Sequence, residues 1–190
     1  MSAPDGLPRL LKALAFAARK HRDQRRKDAE ASPYINHPIA LADLLVNEGG
    51  VHDLEVLCAA LLHDTIEDTA TTGAELEAEF GARITGIVAA VSDDKALPKA
   101  ERKRAQVEHA AQLRASRAGM PRDLGHAAML VKLADKICNL RDVDEHPPTS
   151  WDRARRREYF DWAKQVVDQL RGTHPRLEQV FDAAYARRPE

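Results

Sequence analysis

Three short stretches of the chain carry residue types that hold metal ions or move protons. LLHDTIED, residues 61–68, places His63, Asp64, Glu67 and Asp68 at the end of the apolar run LEVLCAALL. On a helix, residues four apart share a side, so His63 stands over Glu67 and Asp64 over Asp68. A buried helix avoids such a load unless the charges are paired or bound to a metal; a helix end facing water is the other way to carry it. VKLADKICNLRD, residues 131–142, sets Lys132, Asp135, Asn139 and Asp142 along one polar stripe, with Val131, Leu133, Ala134, Ile137, Cys138 and Leu140 as core contacts. Lys132, Lys136 and Arg141 read as a solvated face, whereas Asp135 lies in the middle of the apolar stretch. In PYINHP, residues 33–38, His37 precedes a proline at the start of a helix, which fixes its direction.

Taken together, His37, the adjacent pair His63-Asp64 and the distant Asp135 supply two imidazoles and two carboxylates. This nitrogen and oxygen set suits a divalent ion such as Mn²⁺, Fe²⁺, Zn²⁺ or Mg²⁺. No thiolate takes part, which argues against a structural zinc site. The adjacent His and Asp can both reach one ion only at a helix end or from an adaptable turn. Such an ion lowers the pKa of its water from about 15.7 to as low as ~7, leaving the protein to orient the nucleophile and manage protons.

The elements that must position these groups read as helices almost throughout. Leu10, Leu11, Leu14, Ala17 and Ala18 recur at helical spacing and predict a first helix over about 8–27. Pro38 favours the start of a second, about 38–47, which Gly49-Gly50 ends. Asp53 is a candidate N-cap for a third, about 54–67. Thr72 and Glu75 have capping-box spacing for a short fourth helix, and a fifth follows Gly81 over about 82–92. SDDKALP is a loop. Further helices are predicted over 98–115, 123–144 and 151–171, with one more short helix after Gly172. No internal repeat or low-complexity linker interrupts the pattern. The expectation is one all-α domain over 1–190, a bundle without a sheet.

Bulk properties bound the function. With 190 residues, 44% hydrophobic and 31% charged, the chain suits one soluble globular domain. The 29 basic and 30 acidic residues leave a net charge of −1, which lacks the basic excess of a general nucleic-acid binder. Cys58 and Cys138 have no CxxC partners, which fits a reducing compartment. The N-terminal stretch is broken by charge and does not read as a signal peptide, and no apolar run approaches the roughly 20 residues of a membrane span. The expected location is cytoplasmic, with neither membrane nor nucleic acid as a partner.

The order His37, His63-Asp64, Asp135 resembles the HD superfamily of phosphohydrolases. ARKHRDQRRKD, PYINHP, ALLHDTIEDT, DDKALPKAERKR, VKLADKICNLRD and EYFDWAKQVV are similar to the hydrolase domain of the RelA/SpoT family, and most similar to its single-domain members. The resemblance covers roughly 8–185, with an apparent insertion around 110–128. It implies an HD-domain helical bundle that uses Mn²⁺ and removes the 3′-diphosphate of ppGpp or pppGpp, giving GDP or GTP and pyrophosphate. It implies His37, His63, Asp64 and Asp135 as metal ligands. Glu67 is assigned to proton transfer and Asp68 to orienting the water, although which of the two is the base stays open. It sets Arg26 and Lys27 beside the guanine and Asn139 at the ribose, with Tyr34 lining the same pocket. Out of charge runs that otherwise read as solvated faces, it selects Lys99, Arg155 and Tyr159 for the phosphates. Two other readings stay open: another nucleotide reaction of the same site, such as removal of the 2′-phosphate of NADPH, and a nucleotide sensor without turnover.

Overall fold

The computed structural model describes residues 6–115 and 122–190. Among them are ten α-helices and no strand; a lone antiparallel bridge joins Arg25 and Pro33. The helices are α1 (Gly6–Lys20), α2 (Asn36–Asp43), α3 (Leu54–Leu62), α4 (Thr65–Asp68), α5 (Gly73–Phe80), α6 (Ala82–Val91), α7 (Lys99–Ala115), α8 (Arg122–Glu145), α9 (Arg153–Leu170) and α10 (Pro175–Tyr185). The all-α bundle expected from the sequence is the observed fold.

Two helices form its centre. In α3 every residue from Val56 to Leu62 is buried, because LEVLCAALL is apolar all round and packs against α1, α2, α6 and α8. The 24-residue α8 meets α2, α3, α6, α7, α9 and α10, with Met129, Leu133 and Ile137 fully buried. Two of the three functional stretches therefore lie on highly enclosed elements, at the end of α3 and in the middle of α8, and the third, with His37, opens α2.

Several boundaries differ from expectation. The first helix stops at Lys20 rather than near residue 27. The stretch HRDQRRKD offers no apolar face to bury, and its backbone turns instead. Arg26 N–H donates to Ser32 O at 2.9 Å and Tyr34 N–H to Gln24 O at 3.1 Å, while Asp28 accepts from Ser32 N at 3.0 Å. The second helix starts two residues early and runs on as a π-helical turn, Leu44–Glu48, before Gly50 turns the chain out at φ 71°. The third helix ends at Leu62 instead of continuing to 67. The Thr65 hydroxyl donates to the Leu62 carbonyl at 2.6 Å, an alternative to the helical ladder that breaks it at His63-Asp64. At Thr72 only half of the capping box forms. Thr72 accepts from Glu75 N at 3.1 Å, whereas the Glu75 carboxylate pairs with Lys20 at 2.8 Å. The expected insertion falls on the end of α7 and the start of α8; its residues 116–121 lie outside the described residues.

Asp53 caps α3 as expected, accepting from Glu55 N at 2.9 Å, and also pairs with Arg83 of α6 at 2.9 Å. Asp53→Ala is expected to destabilise the protein by about 0.5–2 kcal/mol, measured as a lower urea midpoint with unchanged slope.

Candidate active site

His37 lies in the first turn of α2, buried by α8. His63 and Asp64 occupy the break between α3 and α4, the helix-end position from which adjacent residues can face one point. Asp135 reaches the same point from α8. His37 Nε2 is 3.2 Å from Asp135 Oδ1, and His63 Nε2 is 3.0 Å from Asp64 Oδ2 and 3.9 Å from Asp135 Oδ1. Ligand atoms of His37, His63 and Asp135 all lie within 4.8 Å of one another. The Asp64 carboxylate faces His63 from beside that trio and accepts from the Tyr34 hydroxyl.

The donor set fits a divalent ion. His63 Nδ1–H donates to Ala60 O at 2.8 Å, so the neutral ring carries its lone pair on Nε2. That Nε2 is buried and makes no hydrogen bond of acceptable direction, although Asp64 lies close. Asp135 is held by Asn139 Nδ2 at 2.5 Å and Lys136 Nζ at 3.0 Å. Burial alone would lower the pKa of His63, but the carboxylates of Asp64 and Asp135 outweigh it and raise it to about 9. Against their own burial, Asp64 is held low by His63 and Asp135 by Lys136 and His37. A proton on His63 thus takes part of the positive charge the cluster calls for, and a metal ion must displace it.

The catalytic candidates flank this cluster. Burial pushes Glu67 above the usual carboxylate range, against the pull of the Asp93 N–H that it accepts at 3.1 Å; Asp64 and Asp93 push it further up. Asp68 Oδ2 accepts from Gln24 Nε2 at 2.8 Å, and its other oxygen pairs with Lys95. His63 and Asp64 do not stack over these carboxylates along one continuous helix, because the helix breaks between them. Glu67 and Asp68 nonetheless line the same cavity as all four ligand candidates.

That cavity, about 500 Å³, lies between the cluster and the helices α7 and α9. It brings in Lys99, Arg155 and Tyr159 as well as Arg102 and Lys103. Burial lowers Lys99, and the neighbouring charges of Arg155, Lys27 and Arg102 add to this. Arg155 stacks on Trp151 at 4.7 Å, and Tyr159 sits between Trp151 and Trp162. A second cavity of about 780 Å³ is lined by Arg26 and Lys27. Tyr34, His37, Asn139 and Tyr159 line both. Arg26 also pairs with Asp142, which stands 3.7 Å from His37 Nδ1.

Lys132 and Lys136 correct the sequence reading. Neither belongs to a solvated face: they are 3% and 4% exposed and line the first cavity. Lys136 pairs with Asp135 and lies 4.6 Å from the Trp162 ring centre, while Lys132 stands 3.8 Å from Asp93. Asp93, Trp151 and Trp162 were likewise not foreseen as lining the site. For the two lysines the signal was their i, i+4 spacing around Asp135 within an apolar run; the other three are brought in only by tertiary packing.

A helical bundle with a His/Asp cluster at a helix break is the architecture of a metal-dependent phosphohydrolase. The HD domain pattern matches residues 13–163, and the chain belongs to the HD domain family. It is 52% identical over 179 residues to the guanosine-3′,5′-bis(diphosphate) 3′-pyrophosphohydrolase MESH1 of Danio rerio, spanning 94% of this chain and 93% of that protein. Identity to the MESH1 of Homo sapiens is also 52%, over 94% of each chain. The bifunctional (p)ppGpp synthase/hydrolase SpoT of Escherichia coli is 35% identical over 97% of this chain but only 25% of its own length. A solved metazoan orthologue of SpoT, described as hydrolysing ppGpp, superposes with a TM-score of 0.86 at 44% identity, covering 99% of this chain and 97% of that one.

Because His63 must lose its proton to ligate an ion, divalent-metal affinity is expected to rise with pH. While His63 is protonated, each unit of acidification is expected to cost up to about tenfold in association constant, with about one proton released per ion bound. Calorimetric titration in buffers of differing ionisation enthalpy reads the proton count directly. A pH-independent affinity would contradict this.

Proposed function

We propose that this chain hydrolyses ppGpp and pppGpp at the 3′ position, releasing pyrophosphate and leaving GDP or GTP, with Mn²⁺ as the bound ion. The observation that carries the reading is the meeting of His37, His63 and Asp135 beside a cavity edged with cations. The 52% identity to curated 3′-pyrophosphohydrolases over nearly the whole chain supports the substrate. In this reading His37, His63, Asp64 and Asp135 hold the ion, and 1–190 is one hydrolase domain.

The ion supplies charge neutralisation at a phosphoryl oxygen and a water of lowered pKa. The remaining work falls to the chain. Water adds to the phosphorus attached to the ribose, the bond to O3′ breaks, and O3′ leaves as a hydroxyl. Glu67, raised by burial, handles the proton. Asp68 orients the attacking water. Arg26, Lys27 and Tyr34 receive the guanine side, with Asn139 toward the ribose. Lys99, Arg155 and Tyr159 take the phosphates, where a fork and a point charge suit an oligophosphate.

The partner is a small nucleotide, with no nucleic acid or membrane. Among the described residues, no helix is long and apolar enough to cross a membrane. Both cysteines are buried and unpaired, as suits the reducing cytoplasm where we place the enzyme.

Purified protein with ppGpp and Mn²⁺ is expected to yield GDP and pyrophosphate, with turnover lost in His63→Ala. Glu67→Gln is expected to lower kcat by about 10²–10⁴-fold while metal binding persists. A parallel NADPH sample separates the readings. Orthophosphate from NADPH without ppGpp turnover would replace the substrate, and metal binding with neither reaction would favour a sensor.

A further inference from the structure

A line of contacts behind the metal cluster runs from the end of α1 to Asp68. His21 follows directly after α1, is 2% exposed, and places Nδ1 2.6 Å from Gln24 Oε1. Gln24 turns its other amide atom to Asp68, with Nε2 donating to Oδ2 at 2.8 Å. The chemistry of each link fixes the next. An ionised carboxylate only accepts hydrogen bonds, so the amide must present its NH₂ group to Asp68 and its oxygen to His21. A carbonyl oxygen also only accepts, so His21 must carry its hydrogen on Nδ1. The turn holds the backbone of Gln24 from both sides, with Gln24 N–H donating to His21 O at 2.9 Å and Tyr34 N–H to Gln24 O at 3.1 Å.

We propose that His21 and Gln24 are positioning residues that set the direction of the Asp68 carboxylate. This rests on the role given to Asp68 above. Without the His21 donor, nothing in the line prevents the Gln24 amide from turning its oxygen toward Asp68, where two acceptors would repel. His21 Nε2 is buried without a hydrogen-bond partner, so the ring is held by Nδ1 and by its face against Tyr34, 4.9 Å between ring centres. Burial pushes the imidazole below its usual range, in keeping with a neutral ring bearing one hydrogen. Lys95 pairs with the second oxygen of Asp68 from an exposed position, so the His21–Gln24 arm is the enclosed side of the clamp.

Three variants and one spectrum test this. Gln24→Met and His21→Leu remove the line at different links. His21→Asn keeps an N–H donor near the place of Nδ1. On ppGpp with Mn²⁺, the first two are expected to lower kcat by about 10–100-fold, the range for supporting-shell losses, with KM and Mn²⁺ affinity unchanged. His21→Asn recovers most of the loss, which a merely structural role for the ring would not allow. Nitrogen-15 spectra of the unmodified protein should show His21 protonated at Nδ1 alone. Unchanged kcat in Gln24→Met, an Asn variant no better than Leu, or a hydrogen on Nε2 would each overturn the proposal. If His21→Leu does not fold, Gln24→Met at its half-buried position decides. Absence of ppGpp turnover in the unmodified protein would instead sink the functional reading, and the nitrogen spectrum, which needs no substrate, would then judge the line of contacts alone.

Discussion

Two imidazoles and two carboxylates converge where α3 breaks, and most of the surrounding structure follows from that crowding. Within the cluster, ligand atoms of His37, His63 and Asp135 lie inside 4.8 Å of one another on residues that are largely buried. Such a concentration of lone pairs and negative charge is expensive away from water unless a cation offsets it. The protein applies several partial offsets at once. Lys136 and Asn139 hold Asp135, the Tyr34 hydroxyl holds Asp64, and His63 retains a proton far above its ordinary range. The Nδ1–H bond to Ala60 keeps Nε2 of His63 aimed inward, as the proposed ion site requires.

Charge is layered outward from that centre. Around the anionic cluster stand cations from three helices: Lys132 and Lys136 of α8, Lys99, Arg102 and Lys103 of α7, and Arg155 of α9. Aromatic faces keep several of them in place. Lys103 and Lys136 lie over Trp162, and Arg155 lies over Trp151. The Trp162 indole donates to Lys103 O at 3.0 Å and ties α9 to α7 across the cavity. A net charge of −1 therefore conceals a strongly polarised interior, suited to a small polyanion.

Much of this was legible in the residues, for identifiable reasons. His63 and Asp64 are adjacent, and adjacency admits a common ligand only at a helix end or turn; Thr65 supplies that end by taking the carbonyl of Leu62. Asp135 stood out because its neighbours are apolar on both sides. Asp53 and Thr72 declared helix starts by their type and spacing. The basic tail of the first helix is compatible with helix by propensity, while the turn that replaces it depends on Asp28 and Ser32 meeting in space. Lys132 and Lys136 are of a type that usually faces solvent. Their burial follows from α7 and α9 closing over α8, a tertiary event that no local pattern encodes. The line from His21 through Gln24 to Asp68 joins residues up to 47 positions apart and is visible only in three dimensions.

Whether these four residues form the metal centre is tested most directly by a Mn²⁺-soaked crystal with anomalous diffraction. One strong peak is expected about 2.2 Å from the inward nitrogens of His37 and His63 and from the carboxylates of Asp64 and Asp135. A peak lodged instead among Glu67, Asp68 and Asp93, or a site left empty at saturating ion, would contradict it.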